Sequence, residues 1–203
     1  MANSNKEKII IAFLDFLKRN SYSTITIEKI ARKAKVKKEV IMAEFIDVDS
    51  IAMQYLNEVD IETLHLVKED SEPNNPKDIM FNIIINRLEI YERDRTSVIN
   101  LLGSKSDFRM KYISTMPRLV KIFDVVYKNK NNVSVKKLSR DIGFLYIYKQ
   151  VLREWMANRE VSELMSLTDK KLIRAGEIYS HLSKPVTILD DLLSKSLNSR
   201  NYK

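Results

Sequence analysis

Apolar residues recur at three- and four-residue spacing along almost the whole chain, and very little interrupts the pattern. Among 203 residues there are only three Gly and four Pro, too few for the many turns of an all-β protein. The expected fold class is all-α, with about nine or ten helices. Ile10, Phe13, Leu14 and Leu17 stand at i, i+3, i+4 and i+7 and share one face of a first helix from about Lys6 to Arg19. Ile27, Ile30, Ala31 and Ala34 repeat the spacing in a shorter helix, with Thr26 placed as its N-cap. A third short helix follows almost at once and buries Val40, Ile41 and Phe45. Asp47 or Asp49 then caps a long fourth helix, striped by Ala52, Tyr55, Leu56 and Val59, that runs toward Asp70.

The segment SEPNNP, residues 71–76, is the clearest break, and Pro76 is well placed to start the next helix. Met80, Ile83, Ile84, Leu88 and Tyr91 form the apolar face of that helix. Gly103, with Ser104 and Ser106, reads as a turn between short helices, and Thr115 before Pro117 opens another helix. From Val135 the spacing predicts a helix with Phe144, Tyr148, Val151, Leu152 and Trp155 on one face. Leu172, Ala175, Gly176 and Tyr179 line the next, and a separate last helix is expected from about Val186 to Leu197.

Several function classes are disfavoured. The three glycines are scattered, so neither a dinucleotide-binding nor a phosphate-binding glycine loop can be written. There is no Cys, hence no disulfide framework, thiol nucleophile or cysteine metal site. His65 and His181 are the only histidines and have no metal-ligand spacing. Asp190 and Asp191 are adjacent, and adjacent residues on a helix point apart. The expectation is therefore a non-enzyme with no cofactor and no metal. The longest N-terminal apolar run, Ile9 to Leu14, stops at Asp15, short of an export signal. No stretch approaches the length of a membrane span. A cytoplasmic protein without integral membrane association is expected.

The net charge of +8 favours anionic partners, and its distribution is more informative than its size. From Lys18 to Lys38 stand eight Lys or Arg against one acidic residue, Glu28. Two short helices joined by a tight turn within that stretch have the layout of a helix-turn-helix, whose second helix enters the DNA major groove. Residues 39–60 then carry six acidic residues and no basic one, and they offset most of this field.

The order of a first helix, then T-x-x-x-I-A-x-x-A-x-V, a short helix ending in Phe, an acidic cap and a long helix resembles the TetR family of bacterial transcriptional repressors. Thr26, Ile30, Ala31, Ala34, Val36, Lys38, Ile41, Phe45 and Asp49 carry the resemblance, with Leu14 and Leu17 upstream. It implies a DNA-binding domain over residues 1–47 and a ligand-binding and dimerisation domain over 48–203. It also implies a homodimer, an operator of double-stranded DNA, and an effector that is small and apolar or amphipathic. Lys37, Lys38 and Glu39 are then expected near base edges, with Thr26, Arg32 and Lys33 near phosphates and Met42 also among the DNA-binding residues. The dimer interface would use Phe144, Tyr148, Val151, Trp155, Leu172, Ala175, Gly176 and Tyr179, and the ligand cavity Tyr91, Tyr112, Met116, Phe123, Tyr127 and Tyr146.

Five positions depart from the family pattern. Lys35 replaces the usual turn Gly, Glu39 a small residue, Met42 an aromatic phosphate contact, Glu44 a His or Arg, and Val48 a Lys. Each of the last four removes a donor or adds repulsion toward phosphate, while Lys37 restores one charge. The alternative function is accordingly a TetR-like fold that has lost DNA binding and carries a lipid or serves as an adaptor, as some ubiquinone-biosynthesis proteins do.

Overall fold

The structure, a computed structural model, describes residues 5–72, 74–103, 112, 116–127 and 134–200, with the side chains of 181–200 outside the description. Among the described residues there are nine α-helices and no strand. They are α1 (Asn5–Leu17), α2 (Ile27–Ala34), α3 (Lys38–Glu44), α4 (Val48–Asp70), α5 (Pro76–Glu92), α6 (Arg95–Leu102), α7 (Pro117–Val126), α8 (Val135–Met156) and α9 (Val161–Arg200). A short 3-10 turn, Tyr22–Thr24, precedes α2. None of the described helices is long and apolar enough to cross a membrane.

The chain divides into two compact units, Met1–Leu66 with Arg87–Arg118, and Val67–Asn86 with Leu119–Lys203. The division falls inside α4, α5 and α7.

In the first unit α1 packs against α2, α3 and α6. Ile9, Phe13, Leu17, Ile30 and Ile41 are wholly buried there, which accounts for the i, i+3, i+4 stripe of α1. Near the end of α1, where helical N–H partners run out, carbonyls take side-chain donors. Two of them are bonded from α6: Ser97 Oγ donates to the Leu14 carbonyl at 2.7 Å and Asn100 Nδ2 to that of Leu17 at 2.6 Å. Tyr22 lies edge-on to Phe13, with ring centroids 6.3 Å apart, and its hydroxyl donates to Asp49 on the first turn of α4. Burial, with the Asp49 carboxylate second, holds that hydroxyl protonated far above the ordinary tyrosine range. Of the two expected caps of α4, Asp47 does the capping. Its carboxylate accepts from the Ser50 N–H at 2.7 Å while Ser50 Oγ accepts from the Asp47 N–H at 3.1 Å, a reciprocal box that uses Ser where Glu or Gln is usual. Further along, Asp60 of α4 pairs with Arg87 of α5, whose side chain is 4% exposed.

The second unit is built on α8 and α9, which pack along one another. Phe144, Tyr148, Val151, Trp155, Leu164 and Leu172 form its centre. Asn75 opens α5 by accepting from the Asp78 N–H at 3.1 Å, with Pro76 at the first helical position, where its missing N–H is harmless. Arg140 ties α8 to α7: its guanidinium reaches Asp124 at 3.1 Å and lies 4.4 Å from the Phe123 ring centroid. A separate last helix was the expectation beyond Val186. Instead α9 continues as one helix through Pro185 to Arg200, because a proline removes a single N–H···O bond and a helix can run through it with a kink.

Candidate nucleic-acid interface

The two short helices of the first unit are held by local chemistry the sequence specifies. Thr26 Oγ1 accepts from the Lys29 N–H at 3.4 Å and opens α2. The helix ends at Lys35, which adopts φ 56° and ψ 40°, the left-handed region that disfavours a side chain by roughly 1–2 kcal/mol. Val36 N–H bonds the Ala31 carbonyl at 3.1 Å and Lys35 N–H that of Arg32 at 3.4 Å, the paired bonds of a Schellman stop. A lysine thus occupies the conformation that glycine usually fills. Lys37 then stands as the N-cap of α3 in extended backbone, with no side-chain cap bond.

On α3, Ile41 is wholly buried and Val40 half-buried, so the opposite face is the one that meets solvent. Glu39, Met42 and Ala43 are exposed on it, Met42 by 57%. Glu44 is exposed too. Arg32, Lys35 and Lys37 flank that face, exposed and without an ion pair among the described residues. Two of the expected DNA contacts are engaged inside the protein. Lys33 lies 3.3 Å from Asp15, and Lys38 Nζ reaches Glu28 of α2 at 2.5 Å. The Lys38 ammonium holds the Glu28 carboxyl down at about 2, and Glu28 in turn raises the Lys38 ammonium. Lys18 draws Asp15 below its ordinary range, with a smaller contribution from Lys33. Thr26 is exposed, but its hydroxyl serves the cap.

The second unit contains a solvent-open groove of about 380 Å³ between the start of α5, the end of α7, and α8 and α9. Met80, Phe144, Ile147 and Leu172 make it apolar, and Tyr127, Ser139 and Tyr179 bring hydroxyls to it. Its two cations are internally compensated: Arg140 by Asp124 and Asp141, and Lys77 by Asp169 at 2.7 Å.

The two sets of residues expected in the second half of the chain fall at different places in the structure. Of the six cavity residues only Tyr127 lines the groove. Phe123 is buried beneath it, stacked on Tyr127 at 5.2 Å, and Tyr146 is 62% exposed and not part of the lining. Tyr91, Tyr112 and Met116 belong to the other unit. Tyr91 is wholly buried with its hydroxyl accepting from Arg87 Nε at 3.1 Å, Tyr112 is buried, and Met116 is half-buried. Of the expected dimer contacts, Phe144, Tyr148, Val151, Trp155 and Leu172 are buried within the single chain. The apolar stripe of α8 is consumed by α7 and α9 of the same protomer. Ala175, Gly176 and Tyr179 line the groove. A Cβ on Gly176 would meet nothing within 4 Å, so no close approach inside the protomer requires that glycine. Tyr179 is exposed on α9, and the other large apolar side chains that these two helices expose are Leu138, Ile142 and Tyr146 at four-residue spacing on α8, and Met165, Ile173 and Ile178 on α9. The sequence offered that α8 stripe at the same spacing as the core stripe, and periodicity alone does not rank two faces.

No family model matches the chain, and no curated protein matches it. Solved structures do. A protein described as a transcriptional regulator from Pseudomonas aeruginosa PAO1 aligns with a TM-score of 0.60 at 12% identity, over 89% of this chain and 93% of that one. The fatty acid degradation regulator FadR from Bacillus halodurans gives 0.54 at 12% identity, over 85% and 96%. A protein from Shewanella sp. PV-4, described as a TetR family transcription regulator, gives 0.53 at 13% identity, over 83% and 97%. The fold is that of the TetR family regulators.

Proposed function

We propose that the protein is a homodimeric DNA-binding transcriptional regulator, acting as a repressor that an apolar or amphipathic small molecule releases from its operator. The observation that carries this reading is the α2–turn–α3 unit, whose solvent-facing α3 is bordered by the exposed cations Arg32, Lys35 and Lys37. Those cations supply the sequence-independent attraction to phosphate, with residues 1–47 as the DNA-reading part and 48–203 as the sensing and pairing part. The groove in the second unit suits the effector, because its charges are spent on one another and apolar surface with a few hydroxyls remains. One fold neighbour is named a fatty acid degradation regulator, which agrees with an apolar effector. The exposed stripe Leu138, Ile142 and Tyr146 is the natural pairing surface. Effector binding would favour a spacing of the two α3 helices unlike the roughly 34–36 Å between successive major grooves. A DNA-bound regulator of this kind works in the cytoplasm.

A second reading, a lipid carrier or adaptor on the same fold, is favoured by one observation: Glu39, Met42 and Ala43 give the exposed face of α3 a carboxylate and apolar groups, and the helix's one cation, Lys38, is paired with Glu28. Fluorescence anisotropy separates the two. Full-length protein is titrated against its own upstream intergenic DNA and a scrambled duplex over a salt series. The regulator binds the former selectively at physiological salt. Weak binding, equal on both duplexes and lost at moderate salt, would reject the regulator and leave the carrier.

A further inference from the structure

The composition of that outward face has a chemical meaning that rests on the regulator reading. We propose that α3 reads its operator through acceptor and apolar chemistry instead of cationic forks: Glu39 accepts from the N4 amino group of a cytosine, and Met42 with Ala43 packs on the C5-methyl of a neighbouring thymine. In the major groove a carboxylate can only accept, and cytosine offers its N4 amino group as a donor. Adenine offers N6 as well, but its N7 acceptor lies beside it and repels the second carboxylate oxygen. Met42 and Ala43 have no polar atom that a base edge could satisfy, and the thymine methyl is the one apolar group exposed on that edge.

Geometry sets the spacing. Glu39 and Met42 are three residues apart on a face whose opposite side is pinned by buried Ile41. Three residues of α-helix advance roughly 4.5 Å, against about 3.4 Å per base step. The cytosine and thymine therefore fall one or two base pairs apart. Lys38, exposed at the start of α3, is held by Glu28 of α2, so its ammonium is already engaged beside this face. The arrangement also discriminates by repulsion. Glu39 among phosphates is unfavourable over any base lacking a donor, while Arg32, Lys35 and Lys37 at the flanks retain general affinity.

The test is selection from a random duplex pool by the full-length protein and by its Glu39→Gln and Met42→Ala variants, both exposed substitutions. Wild type should enrich half-sites with cytosine and thymine at that spacing. Glu39→Gln should exchange cytosine for adenine, whose N6 and N7 suit a glutamine, with a change in base preference of roughly tenfold or more. It should also bind scrambled DNA more tightly, since a like charge is gone. Replacing the selected thymine by deoxyuridine should weaken wild type roughly fourfold, the equivalent of one buried methyl at about 0.8 kcal/mol, and leave Met42→Ala unmoved. An enriched operator whose base preferences survive both substitutions would overturn this assignment and leave the regulator standing. No enrichment at all would overturn both.

Discussion

Lys35 occupies a left-handed position without being Gly or Asn, and the strain belongs to that residue alone. Lys35→Gly should therefore stabilise the protein by about 1 kcal/mol. For a chain this long that is an increase in Tm of roughly 2–4 °C, read by calorimetry, and an unchanged Tm would refute strain at the turn. The Lys38–Glu28 pair gives a second residue-level test. Carbon-detected NMR titration should find the Glu28 carboxyl at about 2, and in Lys38→Ala it should return toward about 4.3. Because the folded value lies below the unfolded one, the pair's contribution is present above the unfolded pKa and fades as pH falls from about 4.5 toward 2. The Lys35 position was legible through the resemblance to the TetR pattern, which usually places Gly at that turn. The Lys38–Glu28 pair was not, because ten residues and a turn separate its partners and spacing rules do not span a turn.

At the scale of helices, two arrangements differ in what they predict. Asp60 and Arg87 form an ion pair in which neither side chain is more than 13% exposed, with Arg118 3.5 Å away. Asp60→Ala would strand the Arg87 cation and should cost about 3–5 kcal/mol in urea unfolding. Glu62→Ala, which removes the exposed Arg93 pair at 2.6 Å, should cost under about 1 kcal/mol. Equal losses would contradict that ranking. Nothing in local periodicity announces the buried pair, although an arginine inside the apolar stripe Ile83–Ile84–Leu88–Tyr91 was a signal that could have been followed. The existence of α8 and the core side of its stripe were legible, and its exposed side was not. Ile142→Glu should convert the proposed dimer to a monomer in sedimentation equilibrium without lowering helix content, since Ile142 is 60% exposed.

For the molecule as a whole, the groove and the α2–α3 pair belong to separate units of one chain, and the regulator reading needs both. Gly176→Leu places a side chain where no atom lies within 4 Å of its Cβ, and it improves helix propensity by nearly 1 kcal/mol. It should fill the groove without harming the fold. Anilinonaphthalene sulfonate fluorescence, bright with wild type, should fall by several-fold in this variant while DNA binding persists. Undiminished dye binding would place the apolar site elsewhere. The all-α class was legible from end to end because helix periodicity is a local property. The groove was not, because it is assembled from α5, α7, α8 and α9, whose mutual placement no single stripe encodes.

The exposed face of α3 makes one further point about how such a chain changes over time. Glu39, Met42 and Ala43 lie on the solvent side, while Ile41 behind them and the Asp47–Ser50 box after them hold the helix in place. Substitutions at those three positions leave the supporting framework intact. If α3 reads DNA as proposed, its address can drift, codon by codon, under almost no selection from folding, and a duplicated copy could acquire a new operator while its fold stays where it was.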